Sequence, residues 1–423
     1  MQGLLYTRDP TNGNVLYHMF SQPSDSGQAQ DWGHASSPDL VRWTRLRRTG
    51  MQGSSGGAIA LPAEFKPPPE LAGAVAIAIS SSPKSPLVPG TTPPGLEGLH
   101  LYYSTGSRLT SWTRYRNESK LQASNNATCI ICPEDVPNKT LAGYLGDTYV
   151  WRDGKSFYVL AGSNRCAASH PWCGWDSPST SAQALLFRSS DLLRWEYISD
   201  WRFLPKQKAW PAGVPQDGPS YWPARTVDTP DTFALRDAST GQRTQVFVWQ
   251  TDTAGCNTQW MLGQLRNASG AFVPSTRVGC ADRGIMYSQQ SLWQPDSERV
   301  SIGWLRAEGD GWGGVQSLAR VVTLDESGLR YSPLPGLGSL HEDYQFWRAH
   351  SLEPDVATPL PALSQFGASL HLHLALEGGS ATAPGASVSS ILIALACLPT
   401  LMKAMAGVVR LRFRCLGAPA SSP

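Results

Sequence analysis

Two short motifs in this sequence match the spacing of loops that bind or attack substrates in enzymes. The first contains a serine. Gly53-Ser54-Ser55-Gly56-Gly57 has the Gly-x-Ser-x-Gly spacing of a nucleophile elbow, in which Ser55 would attack a carbonyl carbon. An elbow lies between a strand and a helix, whereas the run Ala58–Leu61 that follows is short, apolar and ended by Pro62. That context predicts a strand, so we interpret the motif as a β turn.

The second motif, Gly309-Asp310-Gly311-Trp312-Gly313-Gly314, has the Gly-x-Gly-x-x-Gly spacing of a dinucleotide-binding loop. That function needs a helix after the glycines and an acidic ribose ligand further along the chain. The residues that follow, Val315-Gln316-Ser317-Leu318, predict another strand instead. We interpret this motif as a β turn as well, and we expect no cofactor.

The eight cysteines do not have the spacing of a metal site. Cys129-x-x-Cys132 has no second pair at zinc-finger distance, and the sequence contains no His-Glu-x-x-His segment. Two further pairs could each close a loop as a disulfide, Cys166 with Cys173 and Cys256 with Cys280. The sequence therefore predicts no metal ion and is compatible with an oxidising compartment.

Glycosylation sequons favour the secretory route. Four Asn-x-Ser/Thr segments begin at Asn117, Asn126, Asn138 and Asn267, and the first three share one polar insertion. The N-terminal residues Met1 to Asp9 do not add to this prediction, because they have neither the basic start nor the long apolar run of a signal peptide.

The composition argues against nucleic acid as a partner. The 423 residues carry a formal net charge of +2, and the basic residues are scattered instead of forming a stripe. Sixteen tryptophans are a high number. Indole faces stack well on sugar rings, although most tryptophans in any β protein belong to its core.

The secondary-structure elements that position the candidate functional residues are predicted to be β-strands. The chain has 40 glycines and 33 prolines, and no long stretch ahead of residue 340 keeps a 3.6-residue apolar period. Short apolar runs such as Val15–Phe20, Phe157–Ala161 and Gln245–Gln250 alternate with clusters of Gly, Pro, Asp and Ser. The fold class is therefore expected to be all-β.

A repeated segment indicates which β architecture to expect. Ser37-Pro38-Asp39-Leu40-Val41-Arg42-Trp43 returns as Ser189-Ser190-Asp191-Leu192-Leu193-Arg194-Trp195. In both copies the Ser and Asp can turn the chain by bonding to its own backbone, before Leu and Trp enter a buried strand. The same turn in two places predicts a repeated β unit, as in a propeller.

The C-terminal segment Ser387–Val409 is apolar and long enough to reach across a bilayer. Pro399 and Lys403 interrupt it and Arg410-Leu411-Arg412-Phe413-Arg414 follows, so membrane attachment through 387–409 is the less favoured hypothesis. We interpret residues 387–423 as an apolar and basic tail that is disordered or foreign to the native domain.

Three segments, in this order along the chain, resemble those of glycoside hydrolase family 32, the invertases and fructan hydrolases. Tyr17–Gln22 is similar to the family's Tyr-His-Leu-Phe-Tyr-Gln strand. Trp32–Trp43 resembles Trp-Gly-His-Ala-x-Ser-x-Asp-Leu-x-x-Trp, and Gly311–Arg320 resembles Gly-Trp-Ala-Gly-x-Gln-Ser-x-Pro-Arg. The similarity extends from about residue 1 to residue 343.

The resemblance implies a fold and a domain order. It implies a five-bladed β-propeller over residues 1–343, with its first strand expected to be missing, followed by a truncated β-sandwich over 344–386 and the tail over 387–423. It also implies a secreted, cell-wall or vacuolar protein. The oligomeric state is not indicated.

The resemblance further implies hydrolysis of terminal β-D-fructofuranosides, such as sucrose or fructans, with retention of configuration. A carboxylate nucleophile and a carboxylic acid/base roughly 5 Å apart perform such a reaction. The family adds an aspartate that binds the fructose hydroxyls and stabilises the transition state. This chemistry uses neither a metal ion nor a cofactor.

The family nucleophile lies in an Asn-Asp-Pro-Asn-Gly segment, and Arg8-Asp9-Pro10-Thr11-Asn12-Gly13 looks similar to it. Family members, however, place a short strand and a hairpin turn between the nucleophile and the Tyr-His strand. Gly3–Tyr6 fits that strand and Thr7–Asn14 fits that turn. On this register the nucleophile is expected before Met1, and Asp9 is the less favoured alternative.

The transition-state stabiliser of the family lies in an Arg-Asp-Pro segment. The corresponding residues here are Gly146-Asp147-Thr148, so Asp147 keeps the carboxylate while glycine replaces the arginine. The loss of the arginine removes a charge-assisted hydrogen-bond donor that would hold either the aspartate or the substrate.

The family acid/base is the glutamate of a Trp-Glu-Cys-Pro-Asp segment, which Val227-Asp228-Thr229-Pro230-Asp231 resembles. Asp228 takes the role of the glutamate, and its carboxyl group sits one methylene further back. A displacement of order 1 Å can cost roughly a hundredfold in rate. Asp231 is expected to cap the backbone of the turn.

Gln22, Trp32 and Ser55 occupy positions that contact sugar in the family. Gln22 and Ser55 could bond to hydroxyl groups, and Trp32 could wall the pocket. By residue type alone they are equally a strand glutamine, a turn serine and a core tryptophan. His34 is expected to be a structural hydrogen-bonding residue.

Two functions therefore remain open. The first is a fructofuranosidase that acts on a small carbohydrate. The second is a carbohydrate-binding protein that keeps the funnel and has lost turnover, which the replacements at Gly146 and Asp228 favour.

Overall fold

The structure is a computed structural model that divides into two compact units, residues 1–336 and 337–423. Four sequon asparagines and the cysteines Cys166, Cys173 and Cys256 lie outside the residues that it describes. The described residues are 3–9, 11–22, 31–53, 55–81, 98–116, 129–132, 135–137, 145–165, 181–202, 226–250, 257–266, 270–282, 285–296, 298–309 and 312–340, with the backbone of 369–373 and 392–396.

Unit 1 contains five antiparallel sheets, each built from consecutive strands. Blade 1 consists of β1 (Gly3–Arg8), β2 (Val15–Ser21), β3 (Gly33–Ser37) and β4 (Thr44–Arg45), and blade 2 of β5 (Ser55–Ala60), β6 (Ala76–Ser81), β7 (Leu99–Ser104) and β8 (Thr113–Arg114). Blade 3 consists of β9 (Gly146–Asp153), β10 (Ser156–Arg165), β11 (Ser181–Ser189) and β12 (Glu196–Arg202). Blade 4 consists of β13 (Asp228–Arg236), β14 (Arg243–Gln250), β15 (Thr258–Arg266) and β16 (Ala271–Asp282). Blade 5 consists of β17 (Met286–Trp293), β18 (Arg299–Gly309), β20 (Arg320–Asp325) and β21 (Gly328–Pro333), with β19 (Trp312–Gln316) paired to β18.

The first strands of the five blades form a closed ring. β1 packs against β5, β5 against β9, β9 against β13, β13 against β17, and β17 against β1. This is the five-bladed β-propeller that the sequence predicted, and that prediction is confirmed. β1 is the inner strand of a four-stranded blade 1.

The repeated turn has the same structure in both predicted copies. Asp39 Oδ1 accepts hydrogen bonds from the backbone N–H groups of the two residues before Trp43, and Asp191 Oδ1 does the same before Trp195. A third copy, Leu109-Thr110-Ser111-Trp112, lies in blade 2. In all three the leucine has a positive φ, and its carbonyl accepts a hydrogen bond from the tryptophan Nε1. Each copy joins the third strand of its blade to the fourth.

The core lies between adjacent blades. One apolar cluster joins blades 1 and 2 around Phe20 and Trp32, and a second joins blades 2 and 3 around Ile79 and Phe157. Two more clusters join blades 3 and 4 and blades 4 and 5. Each fully buried Phe, Leu or Ile contributes about 1.5–3 kcal/mol, so these interfaces stabilise the ring.

The two motifs that resemble catalytic loops are structural, as the sequence context predicted. Ser55 begins β5, and the next element is the 3₁₀ helix Pro69–Leu71 followed by β6, not a helix directly after the serine. A Cβ at Gly56 would lie 2.6 Å from the Trp32 ring, and one at Gly57 would lie 2.7 Å from the Thr148 carbonyl oxygen. These glycines therefore allow close packing of β5. The second motif joins β18 to β19 as antiparallel strands, with Gly309 opposite Trp312.

A second 3₁₀ helix, Pro335–Leu340, follows β21. In unit 2 the described backbone forms one antiparallel pair, β22 (Ser369–His373) with β23 (Leu392–Ala396). β23 falls inside the apolar segment 387–409. Among the helices of the described residues, none has the length and apolar character needed to cross a membrane.

Candidate active site

The inner strands of blades 3, 4 and 5 each start with a break in register. The pairing shifts beside Asp147 in β9, beside Thr229 in β13 and beside Ser288 in β17. These residues have φ values of 41°, 37° and 46°, in the left-handed region. Non-glycine residues are held there at a cost of about 1–3 kcal/mol. Bulges of this kind re-aim side chains and are frequent beside active sites.

The three bulges lie at one end of the ring, which we call the funnel end because all five inner strands begin there. Ser81 Oγ accepts a hydrogen bond from the Asp147 N–H at 3.3 Å and donates one to the Ser55 carbonyl oxygen at 3.0 Å. The start of β9 therefore lies beside the start of β5. The Val227 N–H donates to the Ser163 carbonyl oxygen at 3.1 Å, and the neighbouring Gly162 pairs with Gly146.

Asp147 and Asp228 thus reach the funnel end on neighbouring inner strands. Asp147 is 3% exposed and Asp228 is 5% exposed. The residue directly before Asp147 is Gly146, so no arginine side chain adjoins Asp147 in the sequence on that side. The residues that the sequence predicted as the stabiliser and the acid/base therefore both lie at this end of the ring.

The carboxyl group of Asp228 is held by a tyrosine of the next blade. The Tyr287 hydroxyl donates a hydrogen bond of 2.5 Å to Asp228 Oδ2. The guanidinium carbon of Arg306 lies 3.7 Å from the centroid of the Tyr287 ring. A cation over a phenol ring draws electron density from it. We infer that Arg306 makes the Tyr287 hydroxyl a stronger donor to Asp228.

A glutamine of blade 5 reaches the inner strands of blades 2 and 3. Gln290 Nε2 donates to the Gly56 carbonyl oxygen at 3.0 Å and to that of Thr148 at 3.5 Å. Gln290 is 3% exposed, and its amide thereby connects the inner strands of blades 2, 3 and 5. Thr148, next to Asp147, also donates its hydroxyl to the Ile79 carbonyl oxygen at 2.8 Å. These hydrogen bonds fix the backbone of β9 next to Asp147.

Asp9 lies at the opposite end of the ring. It follows the last residue of β1, and a strand of six residues is about 20 Å long. Arg108 Nη2 lies 3.8 Å from Asp9 Oδ1, and Arg108 follows the end of β7 that lies away from Ser81. Hydrogen bonds from Thr11 turn the chain here and lower the pKa of Asp9. Asp9 is therefore a residue of the hairpin turn that joins β1 to β2.

The three expected sugar-contact residues have different surroundings. Gln22 is exposed and follows the end of β2 that pairs with the start of β1. Ser55 is half-buried at the start of β5. Trp32 is 0% exposed, and its Nε1 donates to the Gly53 carbonyl oxygen at 3.1 Å. The structure thus places Trp32 in the core between blades 1 and 2 instead of on an open pocket wall.

Asp231 does not serve mainly as a turn cap. Its carboxylate lies 3.2 Å from Arg299 Nη2 and accepts a hydrogen bond from the Ser291 hydroxyl. Arg299 also donates to the Tyr149 hydroxyl at 2.8 Å. Burial raises the pKa of Asp231 although the Arg299 charge opposes the shift. The group is a buried ion pair that joins the inner strands of blades 3, 4 and 5.

His34 has structural partners. Its Nε2 lies 3.0 Å from Nδ1 of His18, and His18 Nε2 lies 2.9 Å from the Thr7 hydroxyl. Burial lowers the pKa of His18 to about 3, with a smaller contribution from His34, and lowers the pKa of His34 to about 4. Both rings are neutral near pH 7.

One disulfide lies within the described residues, and it joins two cysteines that the sequence analysis had not paired. Cys129 and Cys132 form a disulfide, and Cys280 is also disulfide-bonded. The pairing of Cys280 with Cys256 cannot be described, since Cys256 is outside the described residues. Within the described ranges, no three His, Cys, Asp or Glu side chains are grouped closely enough to hold a metal ion.

The family model of the glycosyl hydrolases family 32 N-terminal domain matches residues 99–333, more than half of the 423-residue chain. The chain belongs to glycosyl hydrolase family 32. The match covers Asp147, Asp228 and Tyr287, together with blades 3 to 5. The family resemblance of the sequence is thereby confirmed.

Curated relatives of this family 32 chain match it at low identity. A β-fructofuranosidase, insoluble isoenzyme 6, from Oryza sativa subsp. japonica is 24% identical over 369 residues, which is 77% of this chain and 53% of the relative. A sucrose-6-phosphate hydrolase from Escherichia coli is 24% identical over 219 residues, covering 48% of this chain and 39% of the relative. The chain thus spans about half or less of the length of these relatives.

Solved structures share the fold of this family 32 chain. Fructan 1-exohydrolase IIa from Cichorium intybus superposes with a TM-score of 0.57 at 18% identity, covering 89% of this chain and 67% of that one. The β-fructofuranosidase of Bombyx mori gives a TM-score of 0.52 at 19% identity, covering 81% and 64%. At this identity the likeness establishes the propeller.

No sequence signal pointed to the residues that surround and support Asp147 and Asp228. Tyr287, Gln290 and Arg306 lie 59 or more positions beyond Asp228 along the chain. No motif marks them, and their role appears only when blade 5 closes the ring against blades 1 and 4. The third turn copy, in contrast, could have been found from its Leu-x-x-Trp spacing, which Leu109 and Trp112 share with the other two.

Proposed function

We propose that this family 32 chain is a β-fructofuranosidase-type glycosidase that hydrolyses terminal β-D-fructofuranosides, such as sucrose or fructans, with retention. One observation carries the proposal. Two buried carboxylates, Asp147 and Asp228, stand at the bulged starts of neighbouring inner strands, at one end of a family 32 propeller.

In this proposal Asp228 is the acid/base. Its protonated carboxyl gives a proton to the leaving glycosidic oxygen as the bond from that oxygen to the anomeric carbon breaks. The resulting carboxylate later takes a proton from the water that hydrolyses the fructosyl–enzyme bond. The Tyr287 hydroxyl donates to Oδ2 at 2.5 Å and so orients the carboxyl group.

Asp147 is proposed as the transition-state stabiliser. It lies at a bulge with a positive φ, and its carboxylate would accept hydrogen bonds from fructose hydroxyls. Gln22 and Ser55 are proposed as further partners of hydroxyl groups at the same end. The Trp32 ring is buried, so its proposed role is indirect. It packs against Gly56 and donates a hydrogen bond to Gly53, and these contacts would fix the backbone on either side of Ser55.

The nucleophile is proposed to stand ahead of Gly3. The other functional side chains lie at the starts of inner strands, so the start of β1 is the equivalent position in blade 1. Asp9, at the far end of β1, is not placed to attack a sugar that Asp228 protonates.

The names of the similar proteins support a fructoside substrate. They include β-fructofuranosidases, a sucrose-6-phosphate hydrolase and structures in complex with sucrose or with fructose. The partner of this chain is therefore proposed to be a small carbohydrate.

Fructose release from sucrose and from inulin tests the proposal. We expect release by a form of the protein that extends upstream of Met1 and carries the proposed nucleophile, and a loss of at least a hundredfold when Asp228→Asn is made in that form, because an amide cannot transfer the proton. Asp296→Asn, which changes an exposed aspartate after β17, is the matched control and should retain full activity. Absence of fructose release from both substrates by this extended form would overturn the enzyme proposal.

A carbohydrate-binding protein without turnover is the second candidate. It is favoured by Gly146, which lacks the guanidinium that the family has beside its stabiliser, and by the shorter side chain of Asp228. Calorimetric titration with fructose and sucrose distinguishes the two. Binding of sucrose that is recovered intact supports the second candidate, and fructose release excludes it.

We also propose a secreted, cell-wall or vacuolar location. The disulfide Cys129–Cys132 and the cluster of sequons support an oxidising, glycosylating route. A decrease in apparent mass after treatment with an N-glycosidase is expected for protein from the native source. An unchanged mass together with free Cys129 and Cys132 thiols would contradict this location.

A further inference from the structure

The side chain of Arg306 covers one face of the tyrosine that bonds to Asp228. Its guanidinium carbon lies 3.7 Å from the centroid of the Tyr287 ring, over the face, because an approach in the ring plane would overlap the ring atoms. The Tyr287 hydroxyl donates to Asp228 Oδ2 at 2.5 Å. A single phenol group therefore separates the positive charge of Arg306 from the carboxyl group of Asp228.

Backbone pairing and ring packing hold Arg306 in this position. The Arg306 N–H donates to the Ile285 carbonyl oxygen at 2.9 Å, and the neighbouring pair along the two strands includes Tyr287 opposite Trp304. Trp304 stands two residues before Arg306, so both side chains lie on the same face of β18. The Trp304 ring meets the Tyr287 ring edge-on, with centroids 6.2 Å apart, and the guanidinium carbon lies 5.5 Å from the Trp304 centroid. One strand thus supplies both neighbours of the tyrosine ring.

The funnel end carries acidic groups that a nearby cation would offset. Asp147 and Asp228 are both almost fully buried and lie on neighbouring inner strands. Burial and a neighbouring negative charge both disfavour a carboxylate. The residue before Asp147 is Gly146, so blade 3 brings no arginine at that position.

Other charged groups of blade 4 already form ion pairs. Asp231, further along β13, lies 3.2 Å from Arg299 Nη2, and Asp282, at the end of β16, lies 3.0 Å from Arg320 Nη1. Arg299 also donates to the Tyr149 hydroxyl on β9. Apart from these groups, the charged or titratable side chains that the structure describes at the funnel end of blades 3, 4 and 5 are those of Asp147, Asp228, Tyr287 and Arg306.

We propose that Arg306 is a positioning residue for Asp228, whose charge acts through the Tyr287 ring to strengthen the hydrogen bond to the carboxylate that forms during the reaction. The inference rests on the proposed acid/base role of Asp228. As the bond between the anomeric carbon and the leaving oxygen breaks, that oxygen takes the Asp228 proton, and negative charge develops on Asp228. A cation over the ring makes the phenol a better donor to that charge. Arg306 has further partners, and this role requires none of its N–H groups to be free.

Blade 5 would thereby supply the positive charge that Gly146 does not supply from blade 3. Two substitutions separate charge from shape. Arg306→Met keeps an unbranched stem without the charge, and Arg306→Lys keeps the charge without the planar group. Arg320→Met is the matched control, because Arg320 also lies over a tyrosine ring of blade 5, that of Tyr331, at 4.6 Å.

Two readouts are measured, and thermal unfolding checks that each variant is folded. The first is the carbon-13 NMR titration of the Asp228 carboxyl group in the present chain, assigned with Asp228→Asn. The second is kcat and KM for fructose release by the form that extends upstream of Met1. Arg306→Met is also combined with Tyr287→Phe, which keeps the ring and removes the hydroxyl.

In Arg306→Met the titration midpoint of Asp228 should rise by about one pH unit, since an opposite charge nearby favours the carboxylate. The kcat should fall about tenfold with little change in KM, because the lost interaction develops in the transition state. Arg306→Lys should give a smaller midpoint shift, and Arg320→Met should change neither the midpoint nor kcat. In the Tyr287→Phe background the shift caused by Arg306→Met should fall to less than about half.

The outcomes distinguish this inference from the proposed function. An Asp228 midpoint that moves in neither Arg306 variant would overturn the inference, whatever the activity, and Arg306→Lys keeps the test available if Arg306→Met does not fold. A shift of full size without the Tyr287 hydroxyl would also overturn it, because Arg306 would then act on Asp228 directly. If the extended form releases no fructose, the enzyme proposal fails, and the carboxyl titration still decides whether Arg306 acts on Asp228 through Tyr287.

Discussion

The Tyr287 hydroxyl donates a hydrogen bond of 2.5 Å to Asp228 Oδ2, across the interface between blades 4 and 5. The two residues are 59 positions apart in the chain and stand at the starts of neighbouring inner strands. The bond therefore forms only when both blades are in place. It couples the closure of the ring to the orientation of the proposed acid/base.

Tyr287→Phe is expected to lower kcat for fructose release about tenfold or more, because hydrogen bonds to charged groups are worth about 1.5–3 kcal/mol. Steady-state kinetics measure this change. Tyr331→Phe is the matched control, since Tyr331 also lies in blade 5 and also has an arginine, Arg320, over its ring at 4.6 Å. Equal losses in the two variants would show a general effect of blade 5 instead of a contact with Asp228.

Asp147→Asn is expected to lower kcat at least a hundredfold while the melting temperature stays within a few degrees. Asparagine tolerates the φ of 41° at this position and has the shape of aspartate, so only the negative charge is lost. Kinetics and thermal unfolding are measured in parallel. Asp153→Asn, at the exposed far end of β9, should change neither quantity. Full activity of Asp147→Asn would remove the residue from the proposed site.

Asp228→Glu is expected to raise kcat, by roughly tenfold to a hundredfold. The added methylene advances the carboxyl group by about 1 Å toward the funnel, and errors of that size cost about a hundredfold in rate. The measurement is fructose release at saturating sucrose. A lower rate in Asp228→Glu would mean that the surroundings of Asp228, Tyr287 above all, are adapted to the shorter side chain.

Acid should destabilise blade 1 through its buried histidine pair. The pKa of His18 is lowered to about 3 and that of His34 to about 4, whereas an unfolded histidine has a pKa near 6.5. Below pH 6.5 the unfolded chain therefore binds more protons than the folded one. The free energy of unfolding is expected to be highest above pH 6.5 and to fall toward pH 4, by at most about 1.4 kcal/mol per pH unit for each histidine.

Urea unfolding between pH 7.5 and 4.5 checks this expectation. His34→Gln keeps a hydrogen-bonding side chain beside His18 and should reduce the slope, since one titrating group is removed. A slope unchanged by this substitution would assign the pH dependence to other groups.

Arg299→Met is expected to cost about 3–5 kcal/mol in the free energy of unfolding, because it leaves the carboxylate of Asp231 buried without its partner. The double variant Arg299→Met, Asp231→Asn should recover part of that loss. Guanidinium unfolding of the two single variants and the double variant measures the coupling. Strict additivity would contradict a direct interaction.

Local sequence predicted the β propeller and its turns for a physical reason. In the repeated segments, Asp39 and Asp191 bond to backbone groups two and three residues ahead, so the structure forms from neighbours in the chain. The alternation of short apolar runs with turn residues predicted strands in the same way. The family motifs then indicated five blades and led to the proposed roles of Asp147 and Asp228.

Only the tertiary structure decided which of these residues share one end of the ring. Asp9 and Asp147 are both acidic residues beside an inner strand, yet Asp9 follows the end of β1 and Asp147 stands at the start of β9. Trp32 matched a sugar-contact position by motif but is enclosed between two blades. Tyr287 carried no signal at all, because its contact with Asp228 is made by ring closure. Chain neighbours determine turns and strands, whereas residues far apart in sequence build the site.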